Sequence, residues 1–151
     1  MDNCIFCKIA NGDIPSATVY EDDSFRAILD IAPAHKGHVI VLPKAHADNL
    51  FELDDEIAAK ALPIVKKIAT ALKAVSGCDG INVLQNNGTA AGQSVFHLHI
   101  HIVPRFEATV FSRSGRTSPM PTVRLQSGLL RLLPRWSRFY LAAISQYFFA
   151  N

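Results

Sequence analysis

The feature that most constrains this chain is a run from His97 to Val103 in which histidines alternate with aliphatic residues. Side chains on a β-strand point alternately to its two faces, so this run predicts a strand over residues 96–103. The strand would place three histidines, at positions 97, 99 and 101, on one face and its aliphatic residues against a core. The chain must therefore build a sheet that has one apolar face and one face rich in imidazole.

Three neighbouring imidazoles need partners, because one buried polar group without a hydrogen bond costs roughly 1–3 kcal/mol. The residues alone leave three interpretations open: a solvated polar face, a metal site, or nucleophilic catalysis in which a neutral imidazole attacks phosphorus. Gly92, Gln93 and Ser94 directly precede the strand and offer groups that suit phosphate oxygens. This context, with His38 as a further imidazole, favours catalysis.

The hydrophobic pattern of the rest of the chain predicts an α+β fold. Residues 54–76 carry aliphatic side chains at three- and four-residue spacing, as in an amphipathic helix, and Pro63 predicts a kink or a break within it. A shorter helix is expected near residues 5–10. Short apolar runs predict further strands over residues 18–20, 25–29, 37–43 and 81–85. This order indicates an antiparallel sheet of about five strands with one long and one short helix.

The charge of the chain changes abruptly after residue 107. Residues 1–107 hold all 13 acidic residues and nine Lys or Arg, a net charge of −4, whereas residues 108–151 hold six Arg and no acidic residue. The overall charge of +2 describes neither part, so we infer no nucleic-acid partner from it. No apolar run reaches about 18 residues and no secretory signal is recognisable. We therefore expect a cytoplasmic protein without a membrane partner.

Cys4 and Cys7 lie two residues apart, the spacing of a metal site or a redox pair. Three cysteines in a chain of this length do not make a disulfide framework. Two small apolar side chains packed under the sheet are the remaining interpretation of this pair.

Several motifs in this chain resemble those of the histidine-triad (HIT) family, in its bacterial branch close to the histidine-triad nucleotide-binding proteins. The run from His97 to Val103 matches the signature of three histidines separated by aliphatic residues. Other matching motifs follow in the family's order at residues 4–9, 30–33, 37–38, 43–46 and 92–94. The resemblance covers residues 4 to about 107, which implies a histidine-triad domain over residues 1–107.

The resemblance implies a hydrolase that cleaves the α-phosphate bond of nucleoside phosphoramidates or related nucleotide conjugates. His99 would attack phosphorus and form a nucleotidyl-histidine, while His101 and His38 would hold phosphate oxygens or orient the nucleophile. The residues implied to bind the substrate are Asp30, Ile31, Asn86, Gln93 and Ser94. Two alternatives stay open: a dinucleoside polyphosphate hydrolase, and a nucleotide-binding interaction protein whose catalysis is vestigial.

The resemblance also implies a cofactor and partners. Cys4, Cys7, His46 and His97 would hold a structural zinc ion, since two thiolates and two imidazoles suit zinc and leave no open position for catalysis. The implied ligand is a purine nucleotide or a nucleotide conjugate. The implied assembly is a homodimer in which the sheet extends across both copies, formed through the long helix and the strand at 81–85.

The resemblance stops at Glu107, and residues 108–151 form an atypical C-terminal tail. Two interpretations stay open, a divergent native tail and a shifted reading frame. Codons permitted for residues 107–111 can encode Gly-Asp-Gly-Val when they are read from their third base, and the family continues with a turn of that type.

Overall fold

The computed structural model describes residues 3–107 as an antiparallel five-stranded sheet with two helices, which is the architecture predicted from the sequence. The strands are β1 (Thr18–Glu21), β2 (Phe25–Leu29), β3 (Val39–Pro43), β4 (Gly80–Leu84) and β5 (Ile100–Arg105), arranged in the order β1-β2-β3-β5-β4. The helices are α1 (Ile5–Asn11) and α2 (Asp55–Ser76), with a short 3₁₀ turn at Thr89–Ala91. The domain boundary at residue 107 and the tail at 108–151 stay predictions, because the tail lies outside the described residues.

Helix α2 is capped at both ends by residues next to it in the chain. The Asp54 carboxylate accepts hydrogen bonds from the backbone N–H groups of Glu56 at 2.8 Å and Ile57 at 3.3 Å, which satisfies donors that a helix start leaves free. Gly77 ends the helix with φ +65°, in the left-handed region that favours glycine. Both ends are therefore set by local chemistry.

The break expected at Pro63 is wrong, because α2 continues through it as one helix of 22 residues. Proline lacks the N–H that would bond to the carbonyl four residues earlier, here that of Ala59. Pro63 and Ala59 are both exposed, so water can satisfy that carbonyl without interrupting the helix.

The main core lies between α2 and one face of the sheet. Along α2 the buried residues recur at helical spacing and pack on apolar side chains of the first three strands and β5. The cluster comprises Val19, Phe25, Ala27, Leu29, Val39, Val41, Ala61, Ile64, Val65, Ile68, Leu72, Val75 and Ile102. Among residues 3–107, no helix is long and apolar enough to cross a membrane.

Helix α1 packs on the opposite face of the sheet. Its residues Phe6, Ile9 and Ala10 contact a small cluster formed by Ile28, Ile40 and Leu42. The helix ends at Gly12, whose φ of +89° excludes most other residues and where an added Cβ would lie 3.2 Å from the Arg26 guanidinium. Alternate residues of β3 therefore face α2 and α1, and His38, just before β3, shares the α1 face with Ile40.

The last strand begins four residues later than predicted, because residues 96–99 are irregular. The pairing of β3 with β5 reaches only as far as Val41 and Ile100. Beyond it, the Pro43 carbonyl accepts a hydrogen bond from His97 Nε2 at 3.0 Å in place of a backbone amide. The predicted alternation of faces is nevertheless present, since Leu98 packs with Ala47 in a buried cluster.

Candidate active site and metal centre

His99 is held in one tautomer by its own backbone neighbour. Its ring is 6% exposed, and its Nδ1 atom lies 2.7 Å from the carbonyl oxygen of His97. A carbonyl only accepts hydrogen bonds, so Nδ1 carries the ring proton and Nε2 keeps a free lone pair. The edge of Phe6 packs on this ring, with the centroids 5.1 Å apart. His99 therefore presents one nucleophilic nitrogen from a restrained imidazole.

His101 and His38 form a hydrogen-bonded pair beside His99. His38 Nε2 lies 2.9 Å from His101 Nδ1, and the ring centroids of His101 and His99 are 4.9 Å apart. Burial, followed by the neighbouring His99 and His38 rings, lowers the pKa of His101 to about 4. Burial also lowers the pKa of His38, although the nearby Asp30 carboxylate partly opposes this effect. Both rings are therefore neutral at neutral pH.

Asp30 and Ile31, at the end of β2, lie beside this pair. One Asp30 oxygen is 3.2 Å from His38 Nδ1, and the other accepts a hydrogen bond from the Ala32 N–H at 2.9 Å. Ile31 is 100% exposed. Together they give a carboxylate and an apolar surface at one end of the histidine row.

The loop before the histidine run is shaped by Gln93. This side chain is 4% exposed, and its Oε1 atom accepts a hydrogen bond from the Gly88 N–H at 2.7 Å. Its Nε2 atom donates to the carbonyls of Asp48 and of Val95. Because the whole amide is engaged within the protein, Gln93 holds the loop in shape. Asn86 is half-buried in this loop and Ser94 is exposed.

The four sequence-predicted metal ligands converge in one cluster. Their ligand atoms all lie within 4.8 Å of one another: Cys4 Sγ, Cys7 Sγ, His46 Nδ1 and His97 Nδ1. The His97 nitrogen is 3.5 and 3.4 Å from the two sulfurs and 3.3 Å from the His46 nitrogen. Ligand atoms that are about 2.0–2.3 Å from a tetrahedral zinc ion lie roughly 3.3–3.8 Å from one another, so the spacing fits zinc.

The tautomers of the two histidines also fit a cation. His97 Nε2 donates to the Pro43 carbonyl, and His46 Nε2 lies 3.1 Å from the Asp48 carboxylate. Both Nδ1 atoms therefore turn lone pairs toward each other, and the donors beside them are the weak thiol groups of Cys4 and Cys7 at 3.2–3.5 Å. Burial, then the hydrogen bond and charge of Cys4, raise the pKa of Cys7 to about 11. A bound cation would reverse that shift and take up both lone pairs.

Phe6 and Asp48 are two site residues that the sequence did not identify. Phe6 stands between the two cysteines, and its ring packs edge-on against both His97 and His99. Asp48 follows His46 by two residues, a spacing that could have suggested a carboxylate partner for a metal-bound imidazole. Phe6 belongs to no repeating pattern, so only the fold reveals its position.

Comparison with known proteins gives the same family along most of the chain. The HIT domain model matches residues 11–108. "Protein hit" of Bacillus subtilis is 53% identical over 105 residues, covering 70% of this chain and 72% of that protein. Adenosine 5'-monophosphoramidase hnt1 of Schizosaccharomyces pombe is 50% identical over 103 residues, covering 68% and 74%.

A solved structure agrees with the fold. The Zn-bound histidine triad family protein from Mycobacterium smegmatis matches with a TM-score of 0.70 and 35% identity, covering 99% of each chain. With the family model matching well over half of the chain and relatives about half identical to it, this protein belongs to the HIT family.

Proposed function

We propose that this protein hydrolyses the α-phosphate bond of nucleoside phosphoramidates or related nucleotide conjugates through a nucleotidyl intermediate on His99. The observation that carries the proposal is the tautomer of His99, because the His97 carbonyl holds the proton on Nδ1 and leaves Nε2 free to attack. The identity of 50% with a protein named adenosine 5'-monophosphoramidase supports the substrate class.

The reaction takes two displacements at phosphorus. In the first, the Nε2 lone pair of His99 forms a bond to the α-phosphorus, and the leaving group departs with the electrons of its bond and takes up a proton from solvent. The imidazole becomes cationic, which strengthens its Nδ1–H bond to the His97 carbonyl. In the second, water attacks phosphorus and releases one proton to solvent, the electrons of the nitrogen–phosphorus bond return to Nε2, and a nucleoside monophosphate leaves.

The other site residues bind and orient the substrate. A neutral His101 would hold a phosphate oxygen through its Nε2–H, and His38, which is hydrogen-bonded to His101 Nδ1, would orient that ring. The Asp30 carboxylate beyond them would accept the ribose hydroxyls. Ile31 would cover the base. Asn86 and Ser94 would contact the phosphates and the leaving group from the loop that Gln93 keeps in shape.

The Cys4, Cys7, His46 and His97 cluster would hold zinc as a structural ion. Bound zinc would tie three separate segments of the chain together, and four protein ligands leave no position for a substrate or a catalytic water.

A homodimer is part of the same proposal. In the described sheet, β4 is an edge strand with exposed Val83 and Leu84, and Leu62 of α2 is 70% exposed. Such aliphatic side chains at an unpaired edge favour pairing with a second copy.

Intact-protein mass spectrometry after brief mixing with adenosine 5'-phosphoramidate tests the proposed function. Wild-type protein should gain the mass of one adenylyl group, and peptide mapping should place it on His99. His99→Ala should lose the adduct and several orders of magnitude in kcat while still binding AMP, because only the covalent step is removed.

Three outcomes would contradict the proposal or redirect it. Activity of His99→Ala within about tenfold of wild type would exclude this nucleophile. An adduct formed from diadenosine polyphosphates but not from the phosphoramidate would favour the dinucleoside alternative. AMP binding without any adduct from either substrate would indicate a nucleotide-binding protein that lacks turnover.

A further inference from the structure

The segment that carries His99 is held by contacts other than the strand pairing of the sheet. Residues 96–99 precede β5, and two of their hydrogen bonds run to residues 43–48, which begin at the last residue of β3. The His97 ring donates to the Pro43 carbonyl at 3.0 Å, and the Leu98 N–H donates to the Ala47 carbonyl at 2.7 Å. The position of the nucleophile therefore depends on where residues 43–48 lie.

The metal cluster joins the same two segments. His46 comes from residues 43–48 and His97 from the segment that carries the nucleophile, and their Nδ1 atoms lie 3.3 Å apart. Without a cation, each of these lone pairs accepts at most a weak hydrogen bond from a cysteine thiol, whose sulfur lies 3.2–3.5 Å away. With one, His97 is fixed through its ring, and its carbonyl oxygen is the acceptor that holds the proton of His99.

Asp48 connects this cluster to the loop on the other side of the site. Its carboxylate lies 3.1 Å from His46 Nε2, which directs the His46 Nδ1 lone pair into the cluster. Its carbonyl accepts a hydrogen bond from the buried Gln93 amide. The same amide binds the Gly88 N–H and the Val95 carbonyl, so it sets the shape of the loop.

We propose that Asp48 and Gln93 are positioning residues that couple the metal centre to the nucleotide site, so that metal binding and nucleotide binding strengthen each other. The inference rests on the proposed function, which places the nucleotide against His99 and the loop at 86–94. Coupling between two sites is reciprocal: each ligand must raise the affinity of the other by the same factor. A metal ion that only stabilised the fold would leave the metal affinity of the folded protein insensitive to nucleotide.

The geometry allows the metal to be exchanged while the protein stays folded. A cleft of about 650 Å³ reaches the cluster and is lined by Cys7, His46, Lys8, Lys44 and Asp13, among others. Cys7 and His46 are only partly buried, so a chelator can approach them. Cobalt(II) is a suitable probe, because it accepts the same four ligands and absorbs visible light when it is bound by thiolates.

The experiment measures cobalt affinity by chelator competition, with and without saturating AMP. The wild type should hold cobalt about fivefold or more tightly with AMP, a typical size for coupled sites, and its visible spectrum should change when AMP binds. By reciprocity, metal-free protein should bind AMP more weakly by the same factor. Equal cobalt affinity in both conditions, with AMP shown to be bound, would overturn the coupling.

Variants identify the residues that transmit the effect. Asp48→Ala should weaken cobalt binding about ten- to hundredfold, as for the loss of other hydrogen-bond partners of metal-bound imidazoles. Asp48→Asn keeps an acceptor for His46 and should restore most of that affinity. Gln93→Leu should leave cobalt affinity without AMP within twofold of wild type but reduce the AMP effect. Asp13→Ala, which removes a carboxylate from the same cleft, is the matched control and should behave as wild type.

The results separate this inference from the proposed function. An adduct on His99 together with unchanged cobalt affinity overturns the coupling and leaves the hydrolase in place. A clear AMP effect on cobalt affinity without any adduct supports the coupling and contradicts the hydrolase. A Gln93→Leu variant with the full AMP effect removes Gln93 from the path.

Discussion

Three histidines of the site each have one hydrogen-bond partner that decides which ring nitrogen stays free. The acceptors are the Asp48 carboxylate for His46, the Pro43 carbonyl for His97 and the His97 carbonyl for His99. Each acceptor fixes a proton and turns the other nitrogen toward its task. A residue without charge or reactivity, such as Pro43, therefore determines which ring nitrogen of a histidine keeps a free lone pair.

The pH dependence of stability should carry the signature of His101. Its pKa falls from the usual 6.5 to about 4 in the folded protein, so between these values the unfolded chain binds more protons. The contribution of His101 to the free energy of unfolding is therefore fully present above about pH 6.5 and declines as the pH falls toward 4. Urea titrations at pH 7, 5.5 and 4.5 measure this decline. His101→Asn, which cannot titrate, should show a shallower decline, and an unchanged slope would contradict the assignment.

From the sequence, the candidate site could be predicted only for residues whose type and spacing are themselves unusual. Alternating histidines and paired cysteines are rare enough to be noticed in a sequence, and the structure does gather them into two clusters. Phe6 and Asp48 are ordinary residues with distant contacts, across 91 to 93 positions for Phe6 with His97 and His99 and across 45 for the Asp48 carbonyl with Gln93. Local sequence contains no signal for such contacts.

At the scale of elements, α1 is the part that should respond most to metal removal. A helix of seven residues is too short to be stable alone. It is held by a small apolar cluster, by the Arg26 bond to the Ile9 carbonyl at 3.0 Å, and by Cys4 and Cys7 at its start. Chelation should therefore raise hydrogen exchange in residues 5–11 at least tenfold, because the opening free energy falls by more than about 1.4 kcal/mol.

The α2 amides provide the internal control for that measurement. This helix is capped by its own residues and packs on the opposite face of the sheet, so its exchange should change little. Equal acceleration in both helices would indicate global destabilisation, and unchanged exchange in α1 would show that the metal does not hold it.

Elements that are stabilised by neighbouring residues are predicted well from the sequence, and elements that depend on distant segments are not. Helix α2 has its periodicity, its cap Asp54 and its end Gly77 within one stretch of chain, and its observed bounds agree with the prediction. The segment at 96–99 has the period of a strand, but its partners are residues 43–48, where Pro43 cannot donate to a ladder. Strand pairing is a property of two segments, so one segment could not predict where it stops.

At the scale of the whole molecule, the prediction concerns assembly. Static light scattering at micromolar concentration should give the mass of two chains, because within residues 3–107 nothing covers the β4 edge and the exposed aliphatic residues beside it. Val83→Arg should shift the mass toward one chain through charge repulsion at a symmetric contact. Phe51→Ser, which removes another exposed apolar side chain, is the control. A single-chain mass for the wild type would contradict the dimer.

The full exposure of Ile31 has a thermodynamic consequence. In the free protein this side chain is covered by water on every side, and water around apolar groups raises heat capacity. A base that stacks on Ile31 releases that water, so the heat capacity of the system falls when the nucleotide binds. The enthalpy of binding then becomes more favourable as the temperature rises, and the entropy less so. Under the proposed function, recognition of the base at Ile31 would depend on the water that leaves, so this position would select for a flat apolar surface rather than for one pattern of hydrogen bonds.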